Sequence, residues 1–240
     1  MNNLNQKFSI VIPLFNESDN IKKLFGEIIF NLRNYINQFE IIVIDDGSTD
    51  DTLAILKETQ KDFNENYKIL KNNQNIGQSY SLREGIMHSK YNTIVTIDGD
   101  CQNNPADIPK LLDIFFNSNK YGLVGGIRKN RKDNFIKRIS SRIANLVRRL
   151  YLNDNCIDTG CSLKIFKKKI FLKFPYFDGI HRFLPALFSG YGCKTFFVLV
   201  DHRPRFYGYS KYKTFKRLYQ GIFDMFKVKK IIKEYNKKKY

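Results

Sequence analysis

Three short β-branched apolar runs each end in a cluster of polar residues, and a segment of helical hydrophobic period follows the first. The runs are Phe8–Ile12, which ends at Pro13, Glu40–Ile44 and Thr93–Ile97, and apolar residues recur at helical spacing from Ile21 to Leu32. Strands that alternate with helices in this way form right-handed β-α-β units and a mostly parallel sheet. The predicted fold class is therefore α/β, with helices packed on the sheet.

Further elements follow from the same periods and from the turn residues. We expect helices over about Asp51–Phe63, Gln78–His88 and Pro105–Asn117, since a proline is tolerated at a first helical position. A further strand is predicted near Tyr67–Leu70. No apolar run approaches the ~20 residues that a membrane-spanning helix needs. The first residues do not resemble a signal peptide, and the four cysteines lack C-x-x-C spacing, so we expect a cytoplasmic protein with free thiols.

Five carboxylates follow the three apolar runs, at the strand ends where open α/β sheets bind their ligands. They are Glu17, Asp45, Asp46, Asp98 and Asp100. Such a cluster repels itself unless a cation or hydrogen-bond donors lie among the carboxylates. The chain has neither G-x-x-x-x-G-K-[ST] nor G-x-G-x-x-G, so a bound nucleotide would need a metal bridge. Asp98, Asp100 and Gln102 offer oxygen ligands suited to Mg²⁺ or Mn²⁺.

The charge of the chain is unevenly distributed around its net value of +18. Residues 1–127 hold 12 Lys and Arg against 16 Asp and Glu, whereas residues 128–240 hold 29 against 7. A cationic second half attracts polyanions, either nucleic acid or an anionic membrane surface, or it is simply a solvated lysine-rich surface. Specific nucleic-acid binding is disfavoured, because no RNA or DNA module is recognisable and the acidic strand ends would repel a phosphate backbone.

Three segments of the first half resemble the signature of family 2 glycosyltransferases, which are enzymes of the GT-A fold with a D-x-D metal motif. These segments are Ile10–Glu17, Ile44–Ser48 and Asp98–Gln102. The second half is similar to the polyprenyl-phosphate glycosyltransferases, the relatives of dolichyl-phosphate mannosyltransferase. The segments that carry this similarity are Gly126–Arg128, Lys137–Arg142, Asp158–Lys164, His181–Phe183 and Arg205–Lys211. The D-x-D segment has Gly99 and Cys101 where Ala and Leu are usual, a change that spares the ligands.

The resemblance implies a metal-dependent inverting transfer of a sugar from a nucleotide-sugar donor to a polyprenyl phosphate. It implies donor binding by residues from both halves of the chain: Pro13, Phe15, Glu17, Ile44, Asp46, Asp98, Gly99, Arg205 and Lys211. It assigns Mg²⁺ or Mn²⁺ to Asp98, Asp100 and Gln102. It gives catalytic roles to Asp100 and to the ligands of the acceptor phosphate: Arg128, Arg138, Ser141 and Arg142.

The chemistry of the acceptor separates two interpretations. A hydroxyl acceptor needs a general base, whereas a phosphate monoester has a second pKa of about 6 and is already an anionic nucleophile. Arginines position phosphate groups in bidentate geometry, and the basic stretch from Arg128 to Arg149 fits that task. The alternative is a glycosyltransferase that acts on a glycan or another hydroxyl acceptor, with Asp178 as the base.

The C-terminal segment from Thr214 to Tyr235 carries an apolar stripe flanked by lysine and arginine, with a break before Ile231. The stripe is typical of core packing, of a basic amphipathic helix at a membrane surface, or of a helix that binds a partner helix. We expect a catalytic domain over residues 1–212 and an attachment helix and tail over residues 213–240, peripheral at the cytoplasmic face of the membrane. The expected partners are the donor, the lipid acceptor, an anionic membrane surface and a separate membrane protein.

Overall fold

The structure is a computed structural model that describes residues 6–35, 38–61, 66–118, 120–129, 145–205 and 214–239. In the last of these ranges, side chains are described from residue 220 to residue 238. Across the described residues, no helix combines the length and the apolarity that crossing a membrane requires. All four cysteines are free thiols.

The described residues form a chain of alternating strands and helices. The strands are β1 (Phe8–Leu14), β2 (Phe39–Asp45), β3 (Tyr67–Lys71), β4 (Thr93–Thr96), β5 (Tyr121–Arg128), β6 (Lys164–Lys167) and β7 (Lys194–Val200). The helices are α1 (Ser18–Asn31), α2 (Thr52–Gln60), α3 (Gln78–Met87), α4 (Ile108–Ser118), α5 (residues 145–152), α6 (Lys168–Phe171), α7 (Ile180–Gly190) and α8 (Thr214–Lys239). Short 3₁₀ turns lie at Arg33–Tyr35 and Pro105–Asp107.

The strands form one sheet in the order β3-β2-β1-β4-β6-β5-β7. β1 pairs in parallel with β2 and β4, β2 pairs in parallel with β3, and β5 pairs in parallel with β7. β6 runs antiparallel to both of its neighbours, β4 and β5. The structure confirms the predicted α/β class and the mostly parallel sheet. Because β2, β1 and β4 are adjacent and parallel, the polar clusters that follow them meet at one edge.

β1 extends beyond its predicted end, through Pro13 to Leu14. It pairs with β2 along its whole length but with β4 only from Phe8 to Val11. The Val11 carbonyl accepts a hydrogen bond from the backbone N–H of Ile97 on the β4 side. The backbone nitrogen of Pro13, two residues later, faces that same side of β1. The missing N–H of the proline therefore interrupts no ladder. The prediction that the strand ends before Pro13 is wrong for this reason.

Two helix boundaries also differ from the prediction. α2 ends at Gln60, whereas the prediction continued to Phe63, which lies outside the described residues. Pro105 begins a 3₁₀ turn instead of an α-helix, and the side chain of Asn104 caps this turn by accepting a hydrogen bond from the backbone N–H of Ala106. α4 then begins at Ile108.

α8 is one continuous helix, which confirms the predicted C-terminal helix, and the break in the apolar stripe before Ile231 is where Lys229 and Lys230 are exposed. Its inner face buries Val228 and Ile231, and the buried carboxylate of Asp224 forms an ion pair with Arg182 of α7 at 2.8 Å. These positions recur at helical spacing, and they fix the face of α8 that packs on the domain. Core packing therefore accounts for one face of the helix, while apolar residues on the other face are exposed.

Aromatic packing dominates the core between the sheet and α7. The ring of Phe188 is fully buried, with its centroid 5.5 Å from that of Phe166 and 5.1 Å from that of Phe174. On the other side of the sheet, α1 and α4 contribute mainly aliphatic side chains to a cluster that includes residues of β1, β2, β5 and β6, and α4 packs on β5 and β6. The sheet is therefore covered on both faces, as its mostly parallel strands require.

We expect Phe188→Ala to lower the free energy of unfolding by about 3–5 kcal/mol, because it leaves a cavity among the surrounding rings. Urea denaturation measures the loss. Phe30→Ala is the matched control: its ring is 66% exposed on α1, and we expect a change within about 0.5 kcal/mol. Equal urea midpoints for Phe188→Ala and the wild type would show that the ring cluster does not stabilise the fold.

Candidate active site

The candidate active site is a cleft at the carboxyl ends of β1, β2 and β4. It encloses about 210 Å³. Its walls come from five parts of the chain: Pro13, Leu14, Phe15 and Glu17 at the end of β1 and just after it, Asp46 after β2, Asn75, Gly77 and Gln78 at the start of α3, Asp98, Gly99 and Asp100 after β4, and Arg205. The polar clusters that the sequence places at separate strand ends thus share one cleft, as adjacent parallel strands require.

Asp46 holds the wall of the cleft that precedes α3. Its carboxylate accepts hydrogen bonds from the backbone N–H groups of Gly77 at 2.8 Å and Ile76 at 3.1 Å. It also accepts one from the side-chain amide of Asn72 at 2.7 Å. A carboxylate that accepts several N–H bonds fixes the loop that donates them.

Two glycines allow close approaches within these walls. Gly47 has φ of +71°, and a Cβ at this position would come within 2.4 Å of the Gln74 backbone. Gly99 lies against Leu14, where a Cβ would come within 1.9 Å of a side-chain methyl group. The glycine between the two aspartates of the D-x-D segment therefore fits the packing of Leu14 in this chain.

Asp98 and Asp100 lie on the turn that follows β4. Burial, and then the neighbouring charge of Asp100, raise the pKa of Asp98 to about 6. The carboxylate of Asp98 accepts a hydrogen bond from Gln78 Nε2 at 2.7 Å, and its backbone N–H donates to Ser162 Oγ at 3.2 Å. A carboxyl group whose pKa is raised by a second carboxylate occupies a position that favours added positive charge.

Arg205 contributes positive charge to the cleft through its pairing with Asp100. Its Nη2 donates to Oδ2 of the carboxylate at 2.6 Å. The segment that leads to Arg205 is fixed by Arg203, which binds both carboxylate oxygens of Glu27 on α1 at 2.9 and 2.7 Å. The backbone N–H of Arg203 also donates to the Gln102 carbonyl at 2.9 Å. The segment after β7 is thereby tied to the D-x-D segment.

The two aspartates of the turn after β4 fit a divalent cation. Mg²⁺ in nucleotide sites is commonly held by one or two carboxylates together with substrate phosphates. In the part of the chain that the structure describes, no group of three or more His, Cys, Asp or Glu side chains forms a metal cage. Asp98 and Asp100 would thus share the cation with the phosphates of a ligand. A bound cation would also offset the charge of Asp100, which adds to the effect of burial on the pKa of Asp98.

Arg128, the last residue of β5, is held by Asp158. Its Nε and Nη2 donate to the two carboxylate oxygens at 2.8 and 2.7 Å, and its backbone N–H donates at 3.0 Å. The buried ammonium group of Lys164 donates to the carbonyl of Thr159 at 3.4 Å. The charges of Lys164 and Arg128 lower the pKa of Asp98 and so oppose part of its rise. Basic groups of the second half therefore lie within electrostatic range of the cleft.

Most of the donor-binding residues expected from the sequence line the cleft: Pro13, Phe15, Glu17, Asp46, Asp98, Gly99 and Arg205, with Asp100 beside them. Ile44 does not line it, because its side chain is fully buried beneath Gly85 of α3. Gln102 is not part of the lining either, and its Nε2 donates to the Arg203 carbonyl at 3.4 Å. Four expected site residues lie outside the described residues: Arg138, Ser141, Arg142 and Lys211.

The sequence analysis missed the wall that precedes α3. It is formed by Asn75, Gly77 and Gln78. The signal was present, because the polar run from residue 72 to residue 78 follows β3 just as the acidic clusters follow the other strands. The next residue, Ser79, is buried and lies within hydrogen-bond distance of His181 Nδ1 at 2.7 Å. This bond ties the first turn of α3 to α7.

The chain is similar in sequence to known proteins. A family model described as Glycosyl transferase family 2 matches residues 9–175. The undecaprenyl-phosphate 4-deoxy-4-formamido-L-arabinose transferase of Edwardsiella ictaluri is 30% identical over 211 residues, which are 88% of this chain and 64% of that protein. The dodecaprenyl-phosphate galacturonate synthase of Rhizobium johnstonii is 32% identical over 225 residues, 92% of this chain and 66% of that protein. The chain thus spans just under two thirds of the length of these curated relatives.

Solved structures with a similar fold are more distant in sequence. Glucosyl-3-phosphoglycerate synthase from Mycobacterium tuberculosis, crystallised with Mn²⁺, UDP and glucosyl-3-phosphoglycerate, has a TM-score of 0.68 at 16% identity, and the match covers 95% of this chain and 80% of that one. A mannosyltransferase from Pyrobaculum calidifontis, with GDP-Man and Mn²⁺, has a TM-score of 0.63 at 15% identity, and the match covers 87% and 60%. The likeness shows the GT-A fold that the sequence predicts.

We expect the stability of the protein to depend on the titration of Asp98. Its pKa rises from 3.8 to about 6 on folding, so the folded protein binds more protons than the unfolded chain between these values. The contribution of Asp98 to the free energy of unfolding therefore falls as the pH rises from about 4 to about 6. Asp98→Asn removes the titration, so its unfolding free energy relative to the wild type should increase from about pH 4 to about pH 7.

Urea denaturation in EDTA at several pH values measures this difference. Asp51→Asn, a change at an exposed carboxylate on the loop after β2, is the matched control and should show no such trend. A difference between Asp98→Asn and the wild type that stays constant with pH would contradict the raised pKa.

Proposed function

Because the chain belongs to glycosyl transferase family 2, we propose that it transfers a sugar from a nucleotide-sugar donor to a polyprenyl phosphate, in a metal-dependent inverting reaction. The observation that carries the proposal is the cleft in which Asp98, Asp100 and Arg205 lie together at the carboxyl ends of parallel strands. The names of the relatives, an undecaprenyl-phosphate sugar transferase and a dodecaprenyl-phosphate synthase, support this acceptor class.

The walls after β1 and β2 are the proposed site of the nucleoside. Phe15 offers an aromatic ring to a base, and Glu17 offers carboxylate oxygens to N–H and hydroxyl groups. Asp46 shapes this pocket by holding the backbone of Ile76 and Gly77. Pro13 completes the wall, and Ile44 supports it from the core.

The diphosphate of the donor would lie toward Asp98, Asp100 and Arg205. When bound, a divalent cation neutralises the charge that develops on the departing diphosphate. Asp98 and Asp100, with Gln102 as a proposed third ligand, would hold that cation. Arg205 adds a second positive charge at the same place, and Lys211 is proposed to do so from the following segment. In an inverting transfer, the bond to the acceptor forms on the face of the sugar opposite the breaking bond.

The part of the site that binds the acceptor phosphate is proposed to consist of basic side chains. An ionised phosphate needs orientation and no general base, and guanidinium groups supply orientation through planar bidentate contacts. Arg128 is fixed in position by Asp158, which prepares its guanidinium group for such a contact. Arg138, Ser141 and Arg142 are proposed to complete the acceptor site.

A hydroxyl acceptor is the second candidate, with Asp178 as the proposed base. Asp178 is exposed, and its charge and that of Asp46 both raise the pKa of the Tyr176 hydroxyl, after the larger effect of burial. Tyr176 is thus within electrostatic range of a residue that lines the cleft. Asp178 itself is not among the described residues that line it.

The proposed organisation assigns catalysis to residues 1–212 and attachment at the cytoplasmic membrane surface to residues 213–240. The exposed lysines of α8 support attachment to an anionic surface. A separate membrane protein is a further proposed partner.

The metal assignment predicts the effect of Asp100→Asn. Loss of a charged ligand opposite the diphosphate should lower kcat/KM at least about 100-fold, or about 2.7 kcal/mol. Calorimetry with Mn²⁺ and the nucleoside diphosphate should show correspondingly weaker binding. Asp51→Asn is again the control, because its carboxylate lies outside the cleft lining. Wild-type turnover of Asp100→Asn in EDTA would refute the metal site.

The acceptor assignment predicts opposite results for two sets of variants. Arg138→Lys and Arg142→Lys keep the charge but lose the planar fork, so the KM for the acceptor should rise about tenfold or kcat should fall. The donor Kd, measured by calorimetry, should stay within about threefold, or under 1 kcal/mol. Asp178→Asn should retain turnover, because an ionised phosphate has no proton to lose. Arg128→Lys should resemble the other two, with some loss of stability because Asp158 loses its bidentate partner.

The control in the same basic stretch is Arg131→Lys, which changes a residue outside the segments that carry the family resemblance. The assay uses a short polyprenyl phosphate, Mn²⁺ and a panel of labelled nucleotide sugars, with extraction into an organic phase. Loss of turnover in Asp178→Asn with normal arginine variants would favour the hydroxyl acceptor. Label that stays in the aqueous phase with every donor would refute the lipid phosphate acceptor.

A further inference from the structure

We infer that α5 and α8 together form a membrane-docking patch whose aromatic and aliphatic side chains enter the headgroup region of an anionic bilayer. We name it the α5–α8 patch, and it consists of Leu146, Leu150 and Tyr151 of α5 and Ile222, Phe223 and Phe226 of α8. The exposed fractions reach 76% for Leu150, 55% for Phe226 and 53% for Phe223. The α5 half of this patch is additional to the C-terminal segment that the sequence identifies.

The two halves of the patch are in contact. The rings of Tyr151 and Phe226 meet edge to face, with centroids 5.3 Å apart. Lys229 Nζ donates to the Tyr151 carbonyl at 3.0 Å and lies over the Tyr151 ring at 5.6 Å. Phe223 and Ile222 lie three and four residues before Phe226, on the same side of α8. The exposed apolar side chains therefore form one continuous surface across two helices.

The orientation of each helix is fixed by its inner face. On α5, Arg148 is buried in an ion pair with Asp154, and Leu152 is buried one turn later. On α8, Asp224 is buried in its ion pair with Arg182 of α7. Neither helix can turn its exposed apolar side chains inward without breaking a buried ion pair, a change that costs several kcal/mol in general. The outward orientation is thus a stable property of the fold.

The charges next to the patch favour an anionic bilayer over a second copy of this chain. From residue 227 to residue 240 the sequence carries seven lysines and one glutamate. Lys227, Lys229 and Lys230 are exposed on the turns that follow Phe226. Two copies of a chain with a net charge of +18 would bring like charges together, whereas anionic lipids would neutralise them.

The composition of the patch fits the interface of a bilayer. Aromatic and aliphatic side chains on one face, with lysines beside them, are characteristic of helices that lie in the headgroup region. Lys229, which covers the Tyr151 ring, can extend its ammonium group toward lipid phosphates. The choice of a lipid bilayer as the occupant rests on the proposed polyprenyl phosphate acceptor, which resides in a membrane.

The absence of tryptophan from the sequence gives a direct test of insertion. Phe226→Trp places the only tryptophan of that variant in the α5–α8 patch. Phe30→Trp is the matched control, because it places a single tryptophan on the exposed face of α1. We expect vesicles of equal parts phosphatidylcholine and phosphatidylglycerol to shift the emission of Phe226→Trp to shorter wavelength and to leave that of Phe30→Trp unchanged. No shift for Phe226→Trp, or equal shifts for both, overturns the proposal.

Vesicle binding at low and at high salt distinguishes the contribution of the α5–α8 patch from that of the lysines in residues 227–240. The triple variant Leu150→Ser, Phe223→Ser and Phe226→Ser should bind these vesicles at least tenfold more weakly than the wild type at low salt. It should not co-sediment at ~1 M NaCl, where the screening length is about 3 Å and the wild type retains apolar binding. Deletion of residues 227–240 should weaken binding mainly at low salt. Phe30→Ser should bind as the wild type does.

Two further measurements keep the outcome unambiguous. Circular dichroism should show wild-type melting for the triple variant, since its changes lie on an exposed face. Size-exclusion chromatography should show the same elution volume for the wild type and the triple variant. If the wild type elutes as a dimer and the triple variant as a monomer, the patch is an interface between copies of the chain, and the proposal is overturned. Unchanged vesicle binding by the triple variant would also overturn it.

Activity assays distinguish failure of this inference from failure of the proposed function. With a short, water-soluble polyprenyl phosphate and no vesicles, the triple variant should turn over as the wild type does. With a long-chain polyprenyl phosphate in vesicles, its rate should fall at least tenfold. Vesicle binding as expected without transfer to any acceptor would refute the proposed function and support the patch. Transfer in vesicles at the wild-type rate by the triple variant would refute the patch alone.

Discussion

Repulsion among the carboxylates that follow β1, β2 and β4 is the constraint on which the rest of the site depends. Each carboxylate is stabilised differently. Asp46 accepts backbone N–H groups from the loop before α3, Asp100 accepts the guanidinium group of Arg205, and Asp98 accepts the amide of Gln78. The pKa of Asp98 is raised by its burial and then by the charge of Asp100. A cation at this position would stabilise both ionised carboxylates, so the chemistry of the cleft and the electrostatics of the fold favour the same ligand.

The alternation of strands and helices could be predicted from the sequence because local periods reflect which face is buried. The exact ends could not, since they depend on neighbours that the sequence does not reveal. Pro13 looks like a strand terminator in isolation, yet it is accommodated because β4 has already ended on that side. The order of β5, β6 and β7 was also beyond prediction, because β6 enters between β4 and β5 through long-range pairing.

The residues of the cleft could be predicted where a charged side chain directly follows an apolar strand, and less well elsewhere. Acidic residues directly after apolar strands were identified, and Asp46, Asp98 and Asp100 do lie together. Ile44 belongs to the same sequence segment, but side chains alternate along a strand, and this one points into the core beneath α3. The wall formed by Asn75, Gly77 and Gln78 has no charged side chain, and its importance appears only when Asp46 is seen to accept hydrogen bonds from the backbone of this segment.

The described arginines that the proposed mechanism assigns to phosphate groups each hold a carboxylate as well: Arg128 binds Asp158 and Arg205 binds Asp100. A guanidinium group held in this way loses less entropy when a phosphate binds, but part of its charge is already neutralised. Binding in the ground state is weakened while orientation is preserved, and orientation is what accelerates transfer. In the proposed mechanism, affinity for the lipid comes largely from membrane docking through the α5–α8 patch. Arg128 then needs only to orient the phosphate oxygen of the lipid acceptor toward the sugar, while Arg205 acts on the diphosphate of the donor.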